Sequence, residues 1–223
     1  PRKYFPRDQR MIKRTSSDSD AAQPVLVVGS VAFDNVVTPH GSQDRILGGA
    51  ASYCSFAASY FADPLMVGVV GNDFGEEFVE RLRSRDIDLE GLQRDESGPT
   101  FFWKGQYHEN FNRRDTLDIQ LNVFEQFRPD LPQAYKDTPY VLLGNIHPAL
   151  QAHVLDQLDG EEAYVLADTI DLWINVERDS LLSLIKRVNL FVINDSEAEE
   201  LTSEKNIILA GRKLRELGPE TVI

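Results

Sequence analysis

Apolar positions along this chain fall into two alternating patterns. Val25–Val28, Leu65–Val70, Tyr140–Leu143, Ala163–Ala167 and Leu190–Ile193 are short, near-continuous apolar runs, the signature of strands buried on both faces. Between them lie stretches with helical character. The first starts at Gly48-Gly49 and continues through Ala50, Ala51, Ser52, Ala57, Ala58 and Ser59, slim enough to pack closely on a sheet, with Phe56, Tyr60 and Phe61 as its apolar stripe. Asp73, with Glu76 three residues on, has the form of a capping box opening the next helix. Pro148–Leu158, Asp179–Arg187, Ser196–Thr202 and Lys205–Leu217 complete the set, with Gly218-Pro219 stopping the last. This alternation predicts an α/β fold with a mostly parallel sheet.

Two stretches interrupt it. Val36-Val37 and Arg45–Leu47 read as short strands, and Thr100–Tyr107 and Leu117–Phe124 as longer ones. Residues 35–47 and 97–125 are therefore expected to form one small antiparallel sheet outside the main one. Within it Phe101, Phe102 and Trp103 read first as sheet packing, with one of them able to cover a substrate.

The apolar strands end in small or polar residues: Gly29, Gly71-Asn72, Gly144-Asn145, Asp168 and Asn194. Ligands of open parallel sheets bind outside the carboxyl ends of the strands. Asn and Asp there hydrogen-bond hydroxyls or position a cation, so a small, hydroxyl-rich ligand fits this lining. A nicotinamide-binding fold would place three spaced glycines after the first strand, but Gly29-Ser30-Val31-Ala32-Phe33-Asp34 has one, which counts against a dehydrogenase. Asp34 instead puts a carboxylate just past the strand end. Gly48-Gly49 opens a helix where the backbone can approach another group closely.

Composition narrows the field. At 223 residues the chain suits one α/β domain or slightly less than one larger domain. A formal charge of −13 repels phosphate backbones and counts against nucleic acid, so none is expected as a partner. One cysteine, Cys54, permits no internal disulfide and no multi-cysteine metal site, is read as inert core, and fits a reducing, cytoplasmic compartment. His40, His108, His147 and His153 show no metal-ligand spacing, and no apolar run reaches membrane-spanning length. Residues 1–24, basic and then rich in Ser and Asp, read as a disordered or non-native tail, with the domain proper over 25–223. The chain starts at Pro1 rather than Met and stops at Thr221-Val222-Ile223, which looks like the start of another strand, so both ends are expected to be cut.

The strand followed by GSVAFD, the Gly48-Gly49 pair before a helix, the stretch VGVVGNDFGEEF and the late Asn194-Asp195-Ser196-Glu197 together resemble the ribokinase-like (PfkB-type) carbohydrate kinases, from about Val25 to Ile223. The resemblance implies a three-layer fold with a mostly parallel central sheet and a small β lid over the substrate, the lid falling at about 35–47 and 97–125. It implies ATP-dependent phosphorylation of a hydroxyl on a sugar or nucleoside, with Mg2+. It gives Asp34 the role of binding substrate hydroxyls and Gly48 and Gly49 that of the substrate-side helix start. Asn145 and Asp168 line the cleft, and Asn194 and Glu197 act near magnesium and the ATP phosphates, Glu197 indirectly. Tyr53 stands where the family often has a sugar-contacting asparagine. Asp168-Thr169-Ile170-Asp171-Leu172-Trp173 lacks the Asn and Arg of the family pattern, and with them a phosphate-contacting arginine. The family's catalytic base lies in a Gly-Ala-Gly-Asp stretch expected beyond Ile223, so this chain alone is expected to be inactive.

Several of these residues carry a second reading. Asn194 and Glu197 are also a plain capping box, and one pair can serve both ends. Asp34 reads either as a ligand contact or as a solvated turn residue, Asp168 likewise, and Gly48-Gly49 either as a ligand approach or as close helix–sheet packing. The rival to a kinase is a non-catalytic pseudokinase or truncated binding module. A homodimer formed through exposed lid edges is the assembly expected.

Overall fold

A computed structural model describes residues 22–109, 113–160 and 162–223, so most of the expected N-terminal tail, 1–21, lies outside the described residues. Seven strands form one sheet: β1 (Pro24–Val28), β4 (Asp63–Gly71), β5 (Asp88–Asp95), β8 (Tyr140–Leu143), β9 (Tyr164–Asp168), β10 (Leu190–Val192) and β11 (Thr221–Val222), in the order β11-β10-β9-β8-β1-β4-β5. Every pairing within it is parallel. The continuous apolar runs follow from this, because both faces are covered. Leu26, Val28, Val67 and Val69 pack with Val141, Leu143, Phe191, Leu181, Leu184 and Leu214 on one side. Val27, Met66 and Val70 pack with Ala51, Val79 and Leu82 on the other. The first side carries α3 (Pro148–Leu155), α5 (Arg178–Ile185), α6 (Asp195–Thr202) and α7 (Ile207–Glu216), and the second α1 (Ala50–Ala58) and α2 (Glu76–Arg83).

A second sheet is made of β2 (Ala32–Thr38), β3 (Gly41–Gly48), β6 (Phe101–Tyr107) and β7 (Arg114–Gln120), in the order β3-β2-β6-β7. It is mixed rather than antiparallel as expected, because its two inner strands, β2 and β6, run parallel. The cause is topological. β2 follows β1 and β6 follows β5, both leaving the carboxyl edge of a parallel sheet, so both run outward. Only the return strands β3 and β7 pair antiparallel. The segment expected as a strand to Phe124 leaves the sheet at Gln120 and turns into a 3-10 helix over Asn122–Gln126.

Other expectations are corrected. β5 lies outside the elements the apolar pattern predicts: as an edge strand it carries Asp88, Glu90, Arg94 and Asp95, charges that blunt an open edge and hide the apolar pattern. A short helix, α4 (Asp171–Val176), also escaped the pattern. Tyr60 and Phe61 do not extend the apolar stripe of α1, which ends before them, and they are 50% and 85% exposed. Phe56 does pack against the core, while the face of α1 that is fully buried consists of Ala51, Ser52 and Ser55. The Asp73–Glu76 capping box is absent. Gly75 is the N-cap of α2 with no side-chain cap, and the Asp73 carboxylate accepts instead from the Thr100 N–H at 2.8 Å and the Thr100 hydroxyl at 2.7 Å. Arg45 of β3 donates to the Asp73 carbonyl at 2.6 Å. Asp73 thus pins both halves of the second sheet to the end of β4.

Candidate functional site

The strand order reverses between β1 and β8. β4 and β5 lie to one side of β1 and β8 to β11 to the other, which makes the carboxyl ends of β1 and β8 the switch point where such sheets bind ligands. The first turn of α1 sits there. A side-chain carbon added at Gly29, just past β1, would touch the Ala51 nitrogen at 3.0 Å, and one at Gly144, just past β8, would meet Ala50 at 2.9 Å. The helix start needs its glycine. Gly49 has φ 92°, a conformation L side chains rarely adopt, and any side chain there would strike the Ser30 carbonyl. The Ala50 N–H donates to the Ser30 hydroxyl at 3.1 Å and the Ala51 N–H to the Ser30 carbonyl at 2.9 Å. Two of the orphan donors at this helix end are therefore met from within the chain.

Asp34 lies inside β2 rather than past the end of β1, so it belongs to the second sheet. Its carboxylate rests against the Cα of Gly48, where any side chain would collide with it. Burial pushes Asp34 up to about 6, opposed by the positive charge of Arg114 from β7. Tyr53, on α1 and 57% exposed, lies in the same neighbourhood: burial raises its phenol most, followed by Asp34 and Tyr107.

The other half of the site belongs to β8, β9 and α6. Gln151 of α3, fully buried, donates its amide to the carbonyls of Leu143, Gly144 and Asp168 at 3.2, 3.2 and 3.3 Å, tying two strand ends together. Asn145 accepts from the Trp173 indole N–H at 2.8 Å. The Oδ1 atom of Asp168 is buried without a hydrogen-bond partner among the described residues. Burial, and then the charge of Glu197, push Asp168 up to about 7. Asn194 and Glu197 form the capping box at the start of α6, with the Glu197 N–H donating to Asn194 Oδ1 at 2.9 Å and the Asn194 N–H to Glu197 Oε2 at 3.1 Å. Glu197 is raised by burial first and by Asp171 among its neighbours, and lowered by its bonds to Asn194 and by Arg114.

The positive charge of Arg114, on β7, favours the ionised form of both Asp34 and Glu197. Nothing local in the sequence marks Arg114 out: it follows Arg113 and precedes the strand expected from Leu117. Cys54, expected to be inert, is partly buried and its thiol is pushed up to about 11 by burial, far from nucleophilic.

The donors suit magnesium. Asp168 and Glu197 supply hard carboxylate oxygens, and one oxygen of Asp168 lacks a partner. Among the described residues no three His, Cys, Asp or Glu are gathered to cage an ion.

The Asp168 shift has a measurable consequence. An aspartate near 3.9 when unfolded and near 7 when folded binds more protons in the native state between those values, so stability falls as pH rises through that window. The loss is up to about 4 kcal/mol, on the order of 10 °C. Thermal melts of wild type and Asp168→Asn from pH 4 to 8 should show wild type losing ground against the variant up to about pH 7 and then levelling. A constant difference would contradict the buried-charge account.

On the same second sheet, the face away from Asp34 borders a cavity of about 430 Å³ lined by Phe33, Arg45, Asp73, Thr100, Phe102 and Asn122.

A sequence profile of the pfkB family carbohydrate kinases matches residues 18–223. The chain is 26% identical over 204 residues to a cytidine kinase of Thermococcus kodakarensis, covering 89% of this chain and 71% of that relative. Among solved structures, a Burkholderia thailandensis nucleoside kinase in complex with inosine superposes with a TM-score of 0.69 at 17% identity, over 81% of this chain and 63% of its own length. An Arabidopsis thaliana ribokinase complexed with ribose and ATP gives 0.70 at 18% identity, over 91% of this chain and 71% of its own. At these identities the structural likeness shows the fold, which is ribokinase-like.

Proposed function

We propose, from the premise that this chain belongs to the pfkB family of carbohydrate kinases, that it supplies the acceptor side and the metal side of a site that transfers the γ-phosphoryl group of ATP to a hydroxyl of a sugar or nucleoside at the carboxyl edge of the main sheet. The observation that carries the reading is that two carboxylate sites lie at the carboxyl edge of the sheet: Asp34, resting against Gly48 at the start of α1, and the Asn194–Glu197 capping box that opens α6. One carboxylate belongs to the second sheet and serves the acceptor; the other opens α6 and serves the donor.

In this reading Asp34 accepts hydrogen bonds from acceptor hydroxyls and fixes the ring, with Gly48 as its backstop and Tyr53 beside it. Gly49 keeps the helix start close, and Asn145 and Asp168 border the cleft. Asn194 holds Glu197 in the capping box, and Glu197, with Asp168 near it, would hold magnesium through its waters. Magnesium when bound neutralises charge on the phosphates. Arg114 adds positive charge where the transferring group passes. The second sheet covers the acceptor and excludes water, acting as a lid. Pairing of two copies through the exposed edge of β7 belongs to the same reading, as does a reducing, cytoplasmic setting for a chain with one cysteine. No described helix is long and apolar enough to cross a membrane.

The test is phosphoryl transfer by the full-length protein from labelled ATP to cytidine, inosine and ribose. Label is expected on at least one acceptor. ATP turnover without a labelled acceptor, or no turnover with any of them, would overturn the reading.

A further inference from the structure

We infer that the acceptor is a nucleoside rather than a bare sugar, with Trp103 of β6 as the platform on which its base stacks. The inference rests on the kinase reading above and narrows it.

Trp103 is the direct partner of Asp34 across the β2–β6 pairing. Residues paired in this way leave the same face of a sheet, about 4.8 Å apart from strand to strand. Phe33 and Phe102, one residue earlier on each strand, leave the opposite face and pack into the core. Phe102 therefore does the packing, and Trp103 points with Asp34. Its ring lies across Gly105, where a side-chain carbon would run into the six-membered ring. Its indole N–H donates to the Thr116 hydroxyl at 3.2 Å. The orientation of the indole is thus set by a glycine beneath it and a hydroxyl at its edge. No core covers it: its partner on β7, Ile119, is 55% exposed, and Trp103 itself is only partly buried. The Arg114 guanidinium carbon stands 5.6 Å from the ring centre.

A large aromatic ring held rigidly, left partly open to solvent and placed one strand from the hydroxyl-binding carboxylate suits a ligand with two parts. Ribose hydroxyls bonded at Asp34 leave the base one strand spacing away, over the indole. A free pentose engaged at Asp34 has no flat apolar ring to cover it. Every base has a π face and stacks on indole or guanidinium planes whatever its edge groups, so the platform recognises the class and not one base.

The test is titration calorimetry on the full-length protein with cytidine, inosine and ribose. Trp103→Ala should weaken cytidine and inosine by about 5- to 150-fold, the range for loss of one stacked base, and leave ribose unchanged. Nucleoside binding should also change tryptophan emission in wild type, where Trp103 is one of two tryptophans, and Trp103→Ala should lose that change. If Trp103→Ala melts early, Trp103→Phe decides the matter, with a smaller loss confined to the nucleosides expected. Equal losses for ribose and cytidine would make Trp103 structural and overturn the inference. Ribose binding without nucleoside binding would overturn it too while leaving the kinase reading standing, whereas binding by none of the three would remove both.

Discussion

Asp34→Ala should weaken acceptor binding by about ten- to a hundredfold for each hydrogen bond lost, because bonds to a charged acceptor contribute roughly 1.5–3 kcal/mol each. In the proposed reading α6 serves the donor, so ATP affinity should hardly move. The pH dependence gives a second handle. Burial raises Asp34 to about 6, so its acceptor strength is complete above that value and is lost as pH falls through it. Wild-type affinity should therefore rise between about pH 5 and 7, and Asp34→Asn, milder at neutral pH, should be flat across the window. Calorimetric titration of cytidine and ribose at several pH values reads both effects. Unchanged acceptor affinity in Asp34→Ala, with an unchanged melting temperature, would remove Asp34 from the site.

The two neighbouring glycines should fail in opposite ways. At Gly49 the obstacle is backbone. With φ at 92° and the Ser30 carbonyl in the way, Gly49→Ala has no flexible group to displace, and it should cost roughly 3 kcal/mol or more. That is on the order of 6–12 °C in melting temperature for a chain of this size. At Gly48 the obstacle is the Asp34 carboxylate, a side chain that can swing aside. Gly48→Ala should melt close to wild type yet bind acceptor about as poorly as Asp34→Ala. Differential scanning calorimetry and titration of both variants separate the cases. A stable, fully binding Gly48→Ala would contradict the contact between Gly48 and Asp34.

These glycines also show where the sequence was legible. The Gly48-Gly49 pair before an apolar run stood out, but sequence cannot say what approaches it, and the neighbours, Ser30 and Asp34, are 19 and 14 positions earlier in the chain. Strands β1, β4 and β8 are readable because burial on both faces makes them continuous apolar runs, whereas β5 at the sheet edge carries charge and shows no apolar run. Asn194 and Glu197 read correctly as a cap because both bonds are local, three residues apart. Asp73 and Glu76 have the same spacing and do not cap, because Thr100, 27 residues away, takes the Asp73 carboxylate. Arg114 and Trp103 matter through pairings across strands, β6 with β7 and β2 with β6, that no local pattern encodes.

The fold offers two places for the acceptor, the neighbourhood of Asp34 and Gly48 and the cavity behind the second sheet. Amide hydrogen exchange of the full-length protein, with and without saturating cytidine or ribose, distinguishes the two. Slowed exchange is expected in β2 around Asp34, in Thr100–Tyr107, and from Gly48 to Tyr53 at the start of α1. Slowed exchange confined to the loops carrying Asp73 and Asn122, with the segments around Asp34 and Gly48 unchanged, would contradict that expectation.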